Sequence, residues 1–193
     1  MSFRDWLWRE VKEWTEAIVV AAILAIIIRT FIFQVYKIPS GSMIPTLMIG
    51  DRVIAIKCPY GPIIPFTHIK LPKLKDPNRG DVIVFLYPED PKKHFVKRLI
   101  AKGGETVEIK SGTVFVNGHP LLDGPFRNIT YYNMGPYGQE GEKITVPPHC
   151  YYVLGDNSLV SKDSRFWGFV PERNLVGKVV FRFWPLSRIG RVK

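Results

Sequence analysis

The chain has 193 residues, 46% of them hydrophobic, with 12 Phe and 5 Trp and a formal charge of +10 at pH 7. That length holds one medium-sized domain plus an appendage, and the apolar share excludes a disordered polyelectrolyte. Residues 1–33 carry four basic and four acidic side chains, so the whole positive excess lies on residues 34–193. Such a surface suits anionic lipid headgroups as well as phosphates, so charge alone does not assign nucleic acid as a partner.

Residues 17–28 form an uninterrupted apolar run, and Phe31, Ile32 and Phe33 continue it past Arg29 and Thr30. These 17 residues reach about 25 Å as a helix, slightly short of a typical hydrocarbon thickness. Arg29 lies near the end of the run, where its stem carries the guanidinium toward headgroups. Trp6, Trp8 and Trp14 upstream fit an interfacial aromatic belt, and Phe3, Leu7, Val11 and Trp14 follow a helical stripe, which places the start of the helix on the membrane surface. A buried core helix, a partner helix and a cleaved leader are the competing readings. The nearest small-x-small match, Ser40-Gly41-Ser42, stands twelve residues beyond Ile28, too far for leader removal. Residues 1–33 are therefore read as a retained anchor, whose direction of insertion charge does not fix.

From residue 34 the pattern is β. Residues 52–57, 81–87, 95–101, 106–109, 113–116, 143–146, 151–154 and 176–183 are short β-branched or aromatic runs separated by Gly, Pro, Asn and Asp, the rhythm of antiparallel sheets. Residues 105–116 read as a hairpin turning at Lys110-Ser111-Gly112. Residues 59–80, rich in Pro, and 123–141, rich in Gly, Asn and Tyr, read as surface excursions. The expected fold is mainly β: an amino-terminal transmembrane helix, then one antiparallel catalytic domain over 34–193. Cys58 and Cys150 leave a disulfide open. His68, His94, His119 and His149 are scattered without ligand spacing, so no metal and no cofactor is expected.

Three segments carry candidate chemistry. Residues 38–47 set Gly41 between Ser40 and Ser42 with prolines on either side, a stiff, bent backbone of the kind that fixes a reactive hydroxyl; a plain serine turn has the same composition. In an alternating strand Phe95, Lys97 and Leu99 share a face, so the Lys97 amine sits among apolar side chains that disfavour its charge; a solvated strand lysine is the bland alternative. Residues 155–165 form a polar loop in which Ser161, Asp163 and Arg165 can orient a base.

Taken in order, the anchor, Ser-Gly-Ser-Met-x-Pro-Thr-Leu from Ser40, Gly50-Asp51, Gly80-Asp81-Val82-Ile83-Val84-Phe85, Lys97-Arg98, Gly155-Asp156-Asn157 and Asp163-Ser164-Arg165 resemble the bacterial type I signal peptidases over nearly the whole chain. The resemblance implies a Ser42 nucleophile, a Lys97 general base and an oxyanion hole from the Ser40 hydroxyl and the Ser42 amide. It further implies that Ser161 holds the lysine while Asp163 and Arg165 brace the loop. Tyr36, Ile38, Pro39, Met43, Leu47, Phe95 and Val96 become candidates to line the substrate pockets. The implied partners are signal peptides of secretory precursors ending in small-x-small and the phospholipid bilayer, with no nucleic acid. The implied location is the cytoplasmic membrane, single-pass, with the catalytic domain outside. One departure stands out: where the family commonly carries Arg-Asp-Asn after Gly-Asp-Asn, this chain has Ser158-Leu159-Val160. Another Ser/Lys peptidase and an idle β-domain that binds membrane or nucleic acid are the rival readings.

Overall fold

The computed structural model describes residues 3–62, 64, 67 and 69–192; His68 lies outside the described residues. It opens with α1 (Phe3–Ile27), extended by a π-helical turn over Ile28–Ile32. The helix begins well before the apolar run, where Leu7, Arg9, Glu10, Lys12, Glu13 and Glu16 favour helix and i,i+4 ion pairs join Arg9 to Glu13 at 3.7 Å and Lys12 to Glu16 at 3.9 Å. Leu7–Ile32 covers 26 residues, with none of its apolar window buried. At about 1.5 Å per residue it reaches about 39 Å, long enough to cross a membrane.

Phe33, which composition groups with the apolar run, is the first residue of strand β1 (Phe33–Lys37), and its amide closes the π turn on the Ile28 carbonyl. Thereafter come β2 (Arg52–Ile56), β3 (Val82–Tyr87), β4 (Asp90–Lys102), β5 (Thr106–Lys110), β6 (Thr113–Val116), β7 (His119–Pro120), β8 (Ile144–Thr145), β9 (Cys150–Leu154), the helical turn α2 (Ser164–Trp167), β10 (Val170–Pro171), β11 (Leu175–Trp184) and β12 (Gly190–Arg191). The larger sheet runs β1-β2-β11-β3-β4-β9-β10 with β12 on β11, and the smaller runs β7-β6-β5-β8. All these pairings are antiparallel. β1 stands at an edge of the larger sheet.

Strand β3 is buried on both faces, which is why it reads as an unbroken apolar run rather than an alternating one. Val82 and Val84 join Ile38, Met43 and Leu47 on one side, while Ile83 and Phe85 join Leu99 and Val153 on the other. Each such side chain contributes roughly 1.5–3 kcal/mol on burial. A third cluster packs Val107, Ile109, Val114 and Val116 of the smaller sheet over Ile100, Tyr152 and Leu154 of the larger.

Residues 123–141 are not a free excursion. Phe126 and Tyr131 are 7% and 2% exposed in the core between the sheets. The Tyr137 amide donates to the Arg165 carbonyl at 2.9 Å, and the Tyr152 hydroxyl donates to the Tyr137 carbonyl at 2.6 Å. The segment is a strap across the 155–165 loop. Cys58 and Cys150 are free thiols.

Candidate active site

Ser40 is extended, with φ −133° and ψ 160°, and leads into a 3-10 turn over Gly41–Met43. The turn is pinned from both ends. Ile38 exchanges backbone bonds with Asp51 and Gly50, each at 2.8 Å, and the Leu47 amide donates to the Met43 carbonyl at 2.8 Å. Met43 and Leu47 then drop into the core. The Asn157 amide donates to the carbonyl of Ser42 at 3.0 Å, and its side-chain amide donates to that of Gly41 at 3.2 Å. The Ser42 hydroxyl is thereby held by its own backbone.

Lys97 lies on β4 opposite Ile83 of β3. Its Nζ stands 5.8 Å from the Phe95 ring centroid, as the alternation of Phe95, Lys97 and Leu99 requires. Nζ and Ser42 Oγ are 2.6 Å apart across 55 residues of sequence, with Lys97 only 4% and Ser42 9% exposed. Burial drives the Lys97 pKa down to about 8, against the pull of the Asp163 and Asp156 carboxylates and with a further push from Arg165. A neutral amine within bonding distance of a hydroxyl is able to take its proton.

A cleft of about 180 Å³ opens at this pair. Tyr36, Ile38, Pro39, Met43, Phe95 and Val96 line it together with Ser40, so six of the seven residues singled out as pocket candidates converge. Leu47 does not. It is 0% exposed and packs in the core beneath the turn with Val53, Val82 and Val84. Lys37 and His94, which sequence reasoning missed, also border the cleft. Phe95 is fixed by stacking on Tyr87 at 4.5 Å and by an edge contact with Trp167 at 5.5 Å.

The 155–165 loop closes the site from behind. Arg165 grips Asp163 through two bonds of 2.8 Å, with both side chains 0% exposed. It also donates to the carbonyls of Tyr132 at 2.7 Å and Ser158 at 2.8 Å. Asp163 accepts from the Gly155 amide at 3.0 Å. The Ser161 hydroxyl is buried and makes no hydrogen bond among the described residues. It lies so close to Gly155 that a Cβ there would overlap it and stand 2.6 Å from the Ser42 carbonyl oxygen.

The sequence of the signal peptidase, peptidase S26, family matches residues 11–184. The chain belongs to that family. It is 39% identical to a signal peptidase I of Leptolyngbya laminosa over 93% of this chain and 83% of that protein. It is 37% identical to signal peptidase I T of Bacillus subtilis strain 168 over 94% and 89%. A crystal structure of a signal peptidase I from Enterococcus faecalis V583 is 35% identical and aligns over 54% of this chain and 97% of that one, with a TM-score of 0.44. Membership makes the chain a serine peptidase of the signal peptidase I type, acting on signal peptides of secretory precursors; its long apolar helix fits a membrane-anchored protein.

Within this signal peptidase the departure at Ser158-Leu159-Val160 keeps its bonding. Ser158 Oγ accepts from Arg165 at 2.6 Å and from the Tyr132 amide at 2.8 Å, while Leu159 and Val160 turn out to solvent. A second brace carried no role in the sequence reading. Arg98 donates to both carboxylate oxygens of Asp156, at 2.8 and 2.5 Å, to the Gly80 carbonyl at 2.6 Å and to Thr46 Oγ1 at 3.0 Å. Thr46 in turn donates to Asp156 at 2.5 Å, which ties the residue after Pro45 to the loop after β9. The available signal was an arginine inside an apolar strand, which demands a buried acidic partner. Asp51, 0% exposed, anchors the far end of the same segment by accepting from the Met48 amide at 2.8 Å and pairing with Arg188.

Proposed function

We propose that Ser42 is the nucleophile and Lys97 the general base of a membrane-anchored signal peptidase that cuts after small-x-small. The observation that carries this reading is the 2.6 Å contact between a buried amine and a buried hydroxyl, with the amine's pKa lowered to about 8 by burial. Lys97 Nζ takes the Ser42 proton as Oγ attacks the scissile carbonyl. The resulting oxyanion is met by the Ser42 amide and the Ser40 hydroxyl, which borders the cleft. The Lys97 ammonium returns its proton to the leaving amine, leaving an acyl ester on Ser42. Lys97 then activates water to hydrolyse that ester. The Asp163–Arg165 pair holds the loop's shape, and Ser161, whose hydroxyl is buried beside Gly155 without a hydrogen bond among the described residues, is the hydroxyl assigned to orient the lysine once substrate fills the cleft.

A cleft of about 180 Å³ with mainly apolar lining suits small side chains. The free side of edge strand β1 offers backbone bonds to an extended substrate. Residues 1–33 serve as the anchor and 34–193 as the catalytic unit, in the cytoplasmic membrane with the catalytic unit outside, where the precursor's own apolar core lies in the same phospholipid bilayer. Incubating the detergent-solubilised protein with a synthetic small-x-small precursor tests this: the wild type cleaves at that site, and Ser42→Ala and Lys97→Ala variants with unchanged circular dichroism do not. Full cleavage by either variant would refute the assignment.

A further inference from the structure

The carbonyls that end a helix lack intrahelical donors, and in a bilayer no water replaces them. Here one residue of the sheet supplies donors to two of them. The backbone amide of Lys57, immediately after β2, donates to the Ile32 carbonyl at 2.8 Å, and its ammonium donates to the Arg29 carbonyl at 3.0 Å. The same ammonium reaches Gln34 Oε1 on β1 at 3.3 Å. Lys57 is 9% exposed, and among the described residues these hydrogen-bond acceptors are all uncharged. A buried cation facing the carboxyl end of a helix is favoured by the helix dipole, and its position joins α1, β1 and β2 at one point.

We propose that Lys57 is a latch, a positioning residue that fixes the angle between the anchor helix and the catalytic sheet and so presents the cleft to a precursor held in the same membrane. The inference rests on the function proposed above. Geometry shows why the angle matters. Strand β1, five residues long, separates the helix from the nucleophile segment by about 17 Å at ~3.3 Å per residue. A 10° rotation at the elbow would shift the cleft by about 3 Å, nearly one residue of an extended substrate, and misplacement of about 1 Å can cost about a hundredfold in rate. His94 faces the latch across a shared cavity and lies 5.6 Å from Tyr36 of the cleft wall. Burial and the Lys57 charge lower the His94 pKa, and burial together with Arg29 lowers that of Lys57.

The test uses the full chain in proteoliposomes with two substrates, a short soluble peptide spanning small-x-small and a precursor whose apolar core is inserted in the bilayer. Lys57→Met should cleave the short peptide within about twofold of wild type but lose at least about tenfold in kcat/KM on the inserted precursor, and Lys57→Arg should restore most of the loss. Spin labels at positions 24 and 92, with Cys58 and Cys150 replaced by Ser, should give a broader distance distribution in Lys57→Met than in wild type or Lys57→Arg. Gln34→Leu, which removes one acceptor and leaves the lysine, should show a smaller selective loss and serves if Lys57→Met does not fold. Equal losses on both substrates, or an unchanged distance distribution in Lys57→Met, would overturn the latch. A wild type inert toward both substrates would overturn the peptidase reading alone, since the label distances report the latch without catalysis.

Discussion

Replacing Lys97 by Met tests the buried amine through stability rather than through activity. The lysine pKa falls from 10.5 to about 8 in the folded chain, so between those values the unfolded state binds more protons than the folded one, and stability rises with pH. Below about pH 8 the folded chain must hold an ammonium where burial opposes it. A difference of about 2.5 pH units corresponds to about 3 kcal/mol at about 1.4 kcal/mol per unit. Methionine fills a similar volume without titrating. Lys97→Met should therefore exceed wild type in unfolding free energy by an amount that is constant below pH 7 and shrinks by about 3 kcal/mol as pH rises to 10.5. Taking the difference cancels titrations common to both proteins. Urea unfolding in a fixed detergent, followed by tryptophan fluorescence at several pH values, measures it. A difference that stays flat from pH 7 to 10.5 would show that the amine is hydrated and ordinary, and the catalytic reading would lose its base.

The same shift governs turnover. With the amine titrating at about 8, kcat/KM on a soluble peptide should rise about tenfold between pH 7 and pH 9 and then level, since the neutral form is the base; a profile level across that interval would contradict it. Ser40→Ala should slow cleavage by about a hundred- to a thousandfold without abolishing it, the usual loss of one oxyanion donor, with KM little changed in steady-state assays. Gly155→Ala should abolish cleavage while the domain still folds, because the added methyl would overlap Ser161 Oγ and approach the Ser42 carbonyl oxygen to 2.6 Å; turnover paired with thermal melting checks it.

Much of this arrangement is legible in residue order. The strands centred on 52–57, 81–87, 106–109 and 113–116 fall where short β-branched and aromatic runs put them, and the shared face of Phe95, Lys97 and Leu99 already places the lysine among apolar groups. Other features depend on distant partners. Strand β1 is masked because Phe33 abuts the helical apolar run, and only its pairing with Ile56 of β2 makes it a strand. Strand β4 begins at Asp90, earlier than composition suggests, because the exposed Pro91, Lys92 and Lys93 form a register shift between the Leu86–His94 and Tyr87–Asp90 pairs. The strap at 123–141 gains its order from Arg165, some thirty residues on. The 55-residue gap between Ser42 and Lys97 contains no spacing rule that would bring them together; the resemblance supplied that pairing, and the sheet order supplies its physical cause.

The ion pairs around the lysine follow from the same need for a neutral amine. Asp163 and Asp156 each favour the ammonium form of Lys97, whereas Arg165 opposes it. An unpaired carboxylate at either position would offset the desolvation that lowers the lysine's pKa and leave the base protonated at the pH of use. Arg165 and Arg98 neutralise those carboxylates at 2.8 and 2.5 Å while their remaining donors lock the loop and the segment around Thr46. Each buried pair is a weak source of net stability by itself. On the mechanism proposed above, carboxylates already satisfied by guanidinium groups can hold the backbone around Ser42 without recharging the amine assigned to accept its proton.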